Sequence, residues 1–250
     1  MNVQLEIEHI ITWVREYFAQ NGPNSKAIIG ISGGKDSSIT AALLVRALGP
    51  ERVIAVKMPQ GEQKDIDVAN DLIDYLGVES YEVNIGTLYT ILTAELYNCG
   101  FGHKAHETSA HRTNTPSRLR MTILYAVAAM LGGRVVNTCN LSEDYIGFST
   151  KYGDLAGDFG VLKQYTVREI KQIGHNLLPA RFVDKVPSDG MCGKTDEEAF
   201  GFTYEDLDSF LLEGKEPIPE VQRKIAIMHE RNLHKENIQI PSPTPLRGTI

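Results

Sequence analysis

Between residues 30 and 38 the chain reads Gly30-Ile31-Ser32-Gly33-Gly34-Lys35-Asp36-Ser37-Ser38. Glycines let a backbone approach an anion closely, and the first N–H groups of a following helix point at it. Two glycines, a base, an acid and two hydroxyls in this order suit a polyphosphate. A Walker A loop would need four residues between its first glycine and Gly-Lys-Ser/Thr. Here Gly30 and Gly34 stand one residue too close, and Asp36 takes the Ser/Thr position. A carboxylate beside a phosphate cradle repels a nucleotide unless a cation separates them. That points to magnesium held by Asp36 against the phosphates. A plain turn between strand and helix would need neither the aspartate nor the serines.

A second chemical stretch runs from Asn140 to Asp158 and holds four carboxylates, one lysine, three glycines and three aromatics. Glu143, just past a strand end, can complete a magnesium site with Asp36. The bland alternative is that these carboxylates cap short helices. A third stretch, Asn114-Thr115-Pro116-Ser117-Arg118-Leu119-Arg120-Met121, puts Arg118 and Arg120 on different faces of one helix. One of them can serve a ligand while the other pairs internally. Lys57 ends a strand near the expected nucleotide, where a solvated strand terminus explains it equally well. His103, His106 and His111 are metal-capable, but no period fixes their spacing and a surface loop accounts for them better.

These side chains must be positioned by an alternating pattern. Lys26–Ile29 reads as a strand and Ser38–Leu48 as a helix. Arg52–Met58 is a strand, residues 62–76 a helix, Ser80–Ile85 a strand and residues 86–98 a helix. An apolar helix then opens near Asn114, with Pro116 in its first turn, and runs to Leu131; Arg134–Thr138 is a fourth strand. Before them, Val3, Ile7, Ile10, Ile11, Val14 and Phe18 mark one face of a helix over residues 2–20. Helices over 166–177, 204–212 and 219–230 follow the acidic stretch. The expected fold is a single α/β domain over residues 1–250, an open parallel sheet flanked by helices, with ligands at the carboxyl ends of the strands.

At 42% hydrophobic and 23% charged, the 250 residues have ordinary globular composition. A net charge of −7 without long single-sign blocks favours no nucleic-acid or membrane surface. Cys99, Cys139 and Cys192 form no C-x-x-C pair, which argues against a disulfide framework or a zinc site. No signal peptide or membrane-spanning run is visible, so a cytoplasmic setting is expected.

The loop S-G-G-x-D-S resembles the signature of the ATP pyrophosphatase (PP-loop) superfamily, which splits ATP between its α- and β-phosphates. The order of motifs over residues 25–240 resembles the NAD synthetase family. Four segments carry the resemblance: SGGKDSS at 32–38, NTPSRLRM at 114–121, TCNLSEDYIGFSTKYGD at 138–154 with Asp158 beyond, and KVPSDG at 185–190 followed by TDEEAFG at 195–201. The resemblance implies an adenine nucleotide alpha hydrolase-like, Rossmann-like fold. It also implies the ammonia-dependent reaction, since 250 residues leave no room for a glutaminase domain. In that reaction ATP adenylates the nicotinate carboxylate of deamido-NAD, and ammonia then displaces AMP to give NAD.

By resemblance, the magnesium ligands are Asp36 and Glu143. ATP-binding positions are Gly30, Ile31, Ser32, Gly33, Gly34, Lys35, Asp36, Ser37, Lys57, Thr138 and Ser188. Deamido-NAD contacts are Asn114, Arg118, Lys151, Asp158, His234 and Lys235. Asp36, Lys151 and Asp154 carry the catalysis, with Asp154 near the ammonia site. A homodimer is implied, with helices 86–98 and 119–131 as its candidate interface.

The chain departs from the family pattern at Lys57 (usually Arg), Ser188 (usually Thr), Val167 (usually an ATP-contacting Lys, for which Lys163 or Arg168 would substitute) and Glu236 (usually Arg). The alternatives are another adenylating PP-loop enzyme, tRNA-modifying or GMP-synthetase-like, and a nucleotide-binding regulatory protein without catalysis. A tRNA enzyme should carry a basic appendage or cysteine pairs, and a non-catalytic binder would not need the 138–158 stretch.

Overall fold

The computed structural model describes residues 1–62, 66–101, 108–184 and 195–235. Five parallel strands form one sheet in the order β3-β2-β1-β4-β5: β1 Lys26–Gly30, β2 Val53–Lys57, β3 Glu79–Glu82, β4 Gly133–Asn137 and β5 Phe159–Gly160. In register, Ile28 lies opposite both Ile54 and Val135, so β1 is central. The order reverses at β1, and its carboxyl end is therefore where a parallel sheet opens a crevice.

Helices α1 (Val3–Asn21), α2 (Lys35–Leu48) and α7 (Val167–His175) share a core with one face of the sheet; Phe18, Ile39, Leu43 and Ile170 are fully or almost fully buried there. Asn2 caps α1 by accepting from Leu5 N–H. On the opposite face α5 (Ser109–Leu131) covers Ile28, Ile54, Val56 and Val135 with Ile123, Leu124 and Ala128. A satellite core joins α6 (Leu141–Ile146), α8 (Asp196–Phe200), α9 (Tyr204–Glu213) and α10 (Pro219–Asn232) around Ile146, Phe200, Leu207 and Ile225. The remaining helices are α3 (Ile66–Leu76) and α4 (Gly86–Asn98).

Several expected boundaries move. Helix α5 starts at Ser109 rather than near Asn114, because Thr108 accepts from His111 N–H and supplies a cap. Pro116 consequently sits inside the helix, not in its first turn. The acidic stretch is not all turn: Asn140 caps α6 by accepting from Glu143 N–H, and Phe159–Gly160 adds an edge strand beside β4. The helix after the glycine loop begins at Lys35, about one turn earlier than Ser38, which brings Asp36 into its first turn. His103, His106, Cys192, Ser188, Glu236 and the 185–190 motif lie outside the described residues. Among the described residues no helix is long and apolar enough to cross a membrane.

Candidate active site

The glycine loop caps the carboxyl end of β1. Ile31 N–H extends the ladder to Val56 O at 3.0 Å, and the chain then turns through Gly33 at φ +80°. That left-handed φ suits glycine. The hydroxyls tie the turn to itself: Ser38 Oγ donates to Gly34 O at 2.8 Å, Ser37 Oγ to the same carbonyl at 3.1 Å, and Gly34 N–H donates to Ser32 Oγ at 3.2 Å. A Cβ on Gly34 would meet Ser32 Oγ at 3.2 Å, so the turn has little room for a side chain. The result is an α-helix N-terminus presented by a serine-braced loop, a ready anion site.

Acids gather behind this loop. Asp36 Oδ2 accepts from Lys35 Nζ at 2.7 Å, while Asp36 Oδ1 is buried with no hydrogen-bond partner among the described residues. Loss of solvation, and then the charge of Asp36, push the Glu143 carboxyl up to about 8. Burial pulls the Lys35 ammonium down, but Asp36, Glu143 and Asp196 outweigh it and leave Lys35 above the usual lysine range. Asp196, also buried, accepts from Tyr204 Oη at 3.1 Å. Among the described residues no three His, Cys, Asp or Glu side chains converge as a metal cluster. The protein thus offers two acidic groups, Asp36 with its orphaned buried Oδ1 and Glu143 once it gives up its proton, which fits a cation whose remaining ligands come from a nucleotide.

The second half of the site is Ser149–Asp154. Asp154 Oδ1 accepts from Ser117 Oγ at 2.9 Å and from Thr150 N–H at 2.7 Å. Asn137 Nδ2 holds Asp154 O at 2.8 Å, and Thr150 Oγ1 donates to Asn114 Oδ1 at 3.0 Å. A Cβ on Gly153 would lie 2.4 Å from Ser117 Oγ, so α5 touches this turn directly. Arg118 Nε donates to Lys151 O at 3.3 Å, whereas Arg120 donates to Met58 O at 3.0 Å. Burial lowers Arg120 and Asp154 opposes the shift, so Arg120 faces the same centre.

Helix α10 secures the end of α6. His229 Nδ1 bonds Tyr145 O at 2.7 Å, and the two rings stack with centroids 4.3 Å apart. Asn232 Nδ2 donates to Ile146 O at 3.0 Å, and Lys235 Nζ donates to Gly147 O and Ser149 O at 2.7 and 2.8 Å. Lys151 Nζ donates to His234 O. A cavity of about 440 Å³ lies here, lined by Asp144, Ser149, Lys151, Lys163, Asn232 and Lys235 among others.

The expected residues therefore divide. Gly30 to Ser37, Glu143 and the turn after β4 surround the glycine loop. Asn114, Arg118, Lys151, Asp154, His234 and Lys235 surround the second centre. Thr138 follows β4 directly and is half-buried. Lys57 is engaged by Asn70 Oδ1 at 2.6 Å and Glu82 at 3.0 Å. Asp158 stands apart: its Oδ2 accepts from Val135 N–H at 2.7 Å and its Oδ1 from Tyr125 Oη at 3.4 Å, level with mid-β4. Val167 is buried in the satellite core; Arg168 ties α7 to Glu205 and Glu213 of α9, while Lys163 pairs with Asp144 at the cavity. Ser117, Thr150, Asn137, Asp196 and Tyr204 were not legible as site residues. Ser117, Thr150 and Asp196 do lie within the segments 114–121, 138–154 and 195–201 that carry the resemblance, and Thr195-x-x-Glu198 is a capping box beside Asp196.

A family profile described as NAD synthase matches residues 6–239. A relative from Alkaliphilus metalliredigens, named NH(3)-dependent NAD(+) synthetase, is 32% identical over 249 residues, covering 97% of this chain and 99% of its own. The structure of NMN synthetase from Francisella tularensis superimposes with a TM-score of 0.88 at 30% identity, covering 98% of this chain and 99% of that one. An NH3-dependent NAD synthetase from Campylobacter jejuni in complex with the nitrate ion gives 0.76 at 25% identity, covering 97% and 100%.

Proposed function

The chain belongs to the NAD synthase family, and from this premise we propose that its site runs an ammonia-dependent amidation in two halves. ATP adenylates the nicotinate carboxylate of deamido-NAD with loss of pyrophosphate, and ammonia then displaces AMP to leave the amide of NAD. A carboxylate is a poor acyl donor, so it must first carry a good leaving group. The observation that carries this reading is the pairing of a serine-braced anion loop with a separately held Asp154.

The glycine loop and the dipole of α2 stabilise the departing pyrophosphate, the Gly34 N–H exchanging Ser32 Oγ for a phosphate oxygen. Asp36 and Glu143 would hold Mg²⁺, which supplies charge neutralisation at the phosphates when bound. Arg118 and Lys151, joined through the Lys151 carbonyl, orient the nicotinate substrate. Asp154 receives its hydrogen bonds on Oδ1. In this role Oδ2 takes a proton from ammonium, so that neutral ammonia attacks the acyl carbon.

Helix α4 buries no residue, and Leu88, Ile91, Leu92, Tyr97, Met130 and Leu131 on α4 and α5 are exposed. These exposed apolar side chains support a homodimer across α4 and α5. A cytoplasmic setting and a single domain belong to the same reading.

A second substrate has its own support. The Francisella tularensis NMN synthetase fits more closely than the Campylobacter jejuni enzyme, 0.88 against 0.76. The chemistry is identical if the acid is nicotinate mononucleotide. Product analysis with ATP, Mg²⁺ and ammonium, offering deamido-NAD or the mononucleotide, decides between them. AMP and pyrophosphate are expected with one acid strongly preferred; ADP and phosphate would refute the adenylation chemistry.

A further inference from the structure

Lys35 occupies the position that the S-G-G-x-D-S pattern leaves open. Its placement runs against ordinary electrostatics. It is the first residue of α2, where the helix dipole disfavours a cation, and a surface lysine there would extend into water. Instead the side chain is 3% exposed. Its ammonium lies 2.7 Å from Asp36 Oδ2 and 5.7 Å from the centre of the Tyr204 ring. Three acidic side chains from three elements stand around it: Asp36 of α2, Asp196 of α8 and Glu143 of α6, the last a carboxylate only after losing its proton. Asp196 is held toward the cluster by Tyr204 Oη at 3.1 Å. Burying an ammonium is costly unless such partners surround it.

We propose that Lys35 is the resident cation of the acid cluster, holding Asp36 until the divalent cation arrives with nucleotide and takes that carboxylate from it. This role presupposes the divalent cation at Asp36 and Glu143. Lys35 is thus a positioning residue. It keeps α2, α6 and α8 converged in the free protein, and it suppresses cation binding in the absence of phosphates. Once Asp36 turns to the cation, the released ammonium is beside the phosphate chain and neutralises part of its charge.

The test is Mn²⁺ binding by electron paramagnetic resonance on the full-length chain, without nucleotide and with a non-hydrolysable ATP analogue. Without nucleotide, Lys35→Met is expected to bind Mn²⁺ about tenfold more tightly than wild type, since a competing unit charge has gone. Lys35→Arg, which keeps the charge, should stay close to wild type. Equal Mn²⁺ affinity in wild type and Lys35→Met overturns the role of Lys35 while leaving the cation site standing. Absence of Mn²⁺ binding in every form, analogue included, removes the cation site itself and this role with it. Thermal melts guard against a folding artefact. In EDTA, Lys35→Met should melt below wild type, and Mn²⁺ should close the gap. A deficit that Mn²⁺ leaves unchanged marks Lys35 as packing only and overturns the proposal.

Discussion

Ser32–Ser38 is braced largely by its own serines: Ser32, Ser37 and Ser38 each bond backbone or hydroxyl groups inside the loop, and β1 beneath it is paired on both sides. Thr150–Asp154 is braced from far away. Ser117 on α5, Asn137 at the end of β4 and Lys235 beyond α10 each reach it or its neighbours across 17 or more positions. The phosphate half is a backbone device, rigid because the sheet is rigid. The acyl-transfer half is a side-chain device, rigid only while several helices stay docked. A loop that binds the same leaving group every time can be local. A turn that must place a carboxylate against a particular substrate takes its coordinates from the whole molecule.

The largest break in this comparison should come from Asp36→Asn. Adenylation, read by ATP–pyrophosphate exchange, is expected to fall by about 10³-fold, with a lower melting temperature because buried Lys35 loses its nearest carboxylate. Normal exchange would remove Asp36 from the phosphate half. Asp154→Ala should separate the halves in the other direction. Amide formation is expected to drop by about 10²- to 10³-fold, with pyrophosphate exchange losing less than about tenfold; equal loss in both steps would mean the halves are one unit.

Stability should sharpen the contrast. Asp208 is buried and accepts from Ser142 Oγ at 2.6 Å and Arg168 N–H at 2.7 Å, joining α6, α7 and α9. Asp208→Ala strands two donors and is expected to cost about 2–3 kcal/mol by urea denaturation. A loss below about 0.5 kcal/mol would show that α6 needs no remote support.

The smallest effect is on pH. With the Glu143 carboxyl raised from 4.5 to about 8 by burial and Asp36, the folded chain binds a proton that the unfolded chain lacks between those values. Stability of the metal-free protein must then fall as pH rises, by about 1.4 kcal/mol per unit between pH 6 and 7. Glu143→Gln should flatten that slope, and an unchanged slope in urea titrations would place the proton elsewhere.

Much of the fold was written locally. The strand–helix alternation, the inward face of α1 and the parallel sheet followed from periodicity and the glycine turn. The start of α5 was missed because Thr108 is an inconspicuous cap in a polar, histidine-containing run. Strand β5 was missed because two residues carry no alternation; only the free edge of β4 makes Phe159–Gly160 a strand. In the site, Arg118 and Arg120 were separable by helix geometry alone, and they do serve different partners. Arg168 and Lys163 could not be told apart in advance, since the choice depends on Glu205 and Glu213 standing beside one and Asp144 beside the other.

By itself, the sequence determined an anion-binding turn with an aspartate at a helix N-terminus, an acidic stretch a hundred residues on, and the order of elements between them. Those features depend on φ, on capping and on side-chain period, all of which act over a few residues. Only the tertiary structure decided that Lys35 turns inward onto three acidic side chains, that Ser117 and Asn137 hold Asp154, and that Lys235 grips the Gly147 and Ser149 carbonyls. These are meetings between charges and hydrogen-bonding groups on different elements. Their energies depend on burial and on distances of about 3 Å, which exist only after the helices have packed.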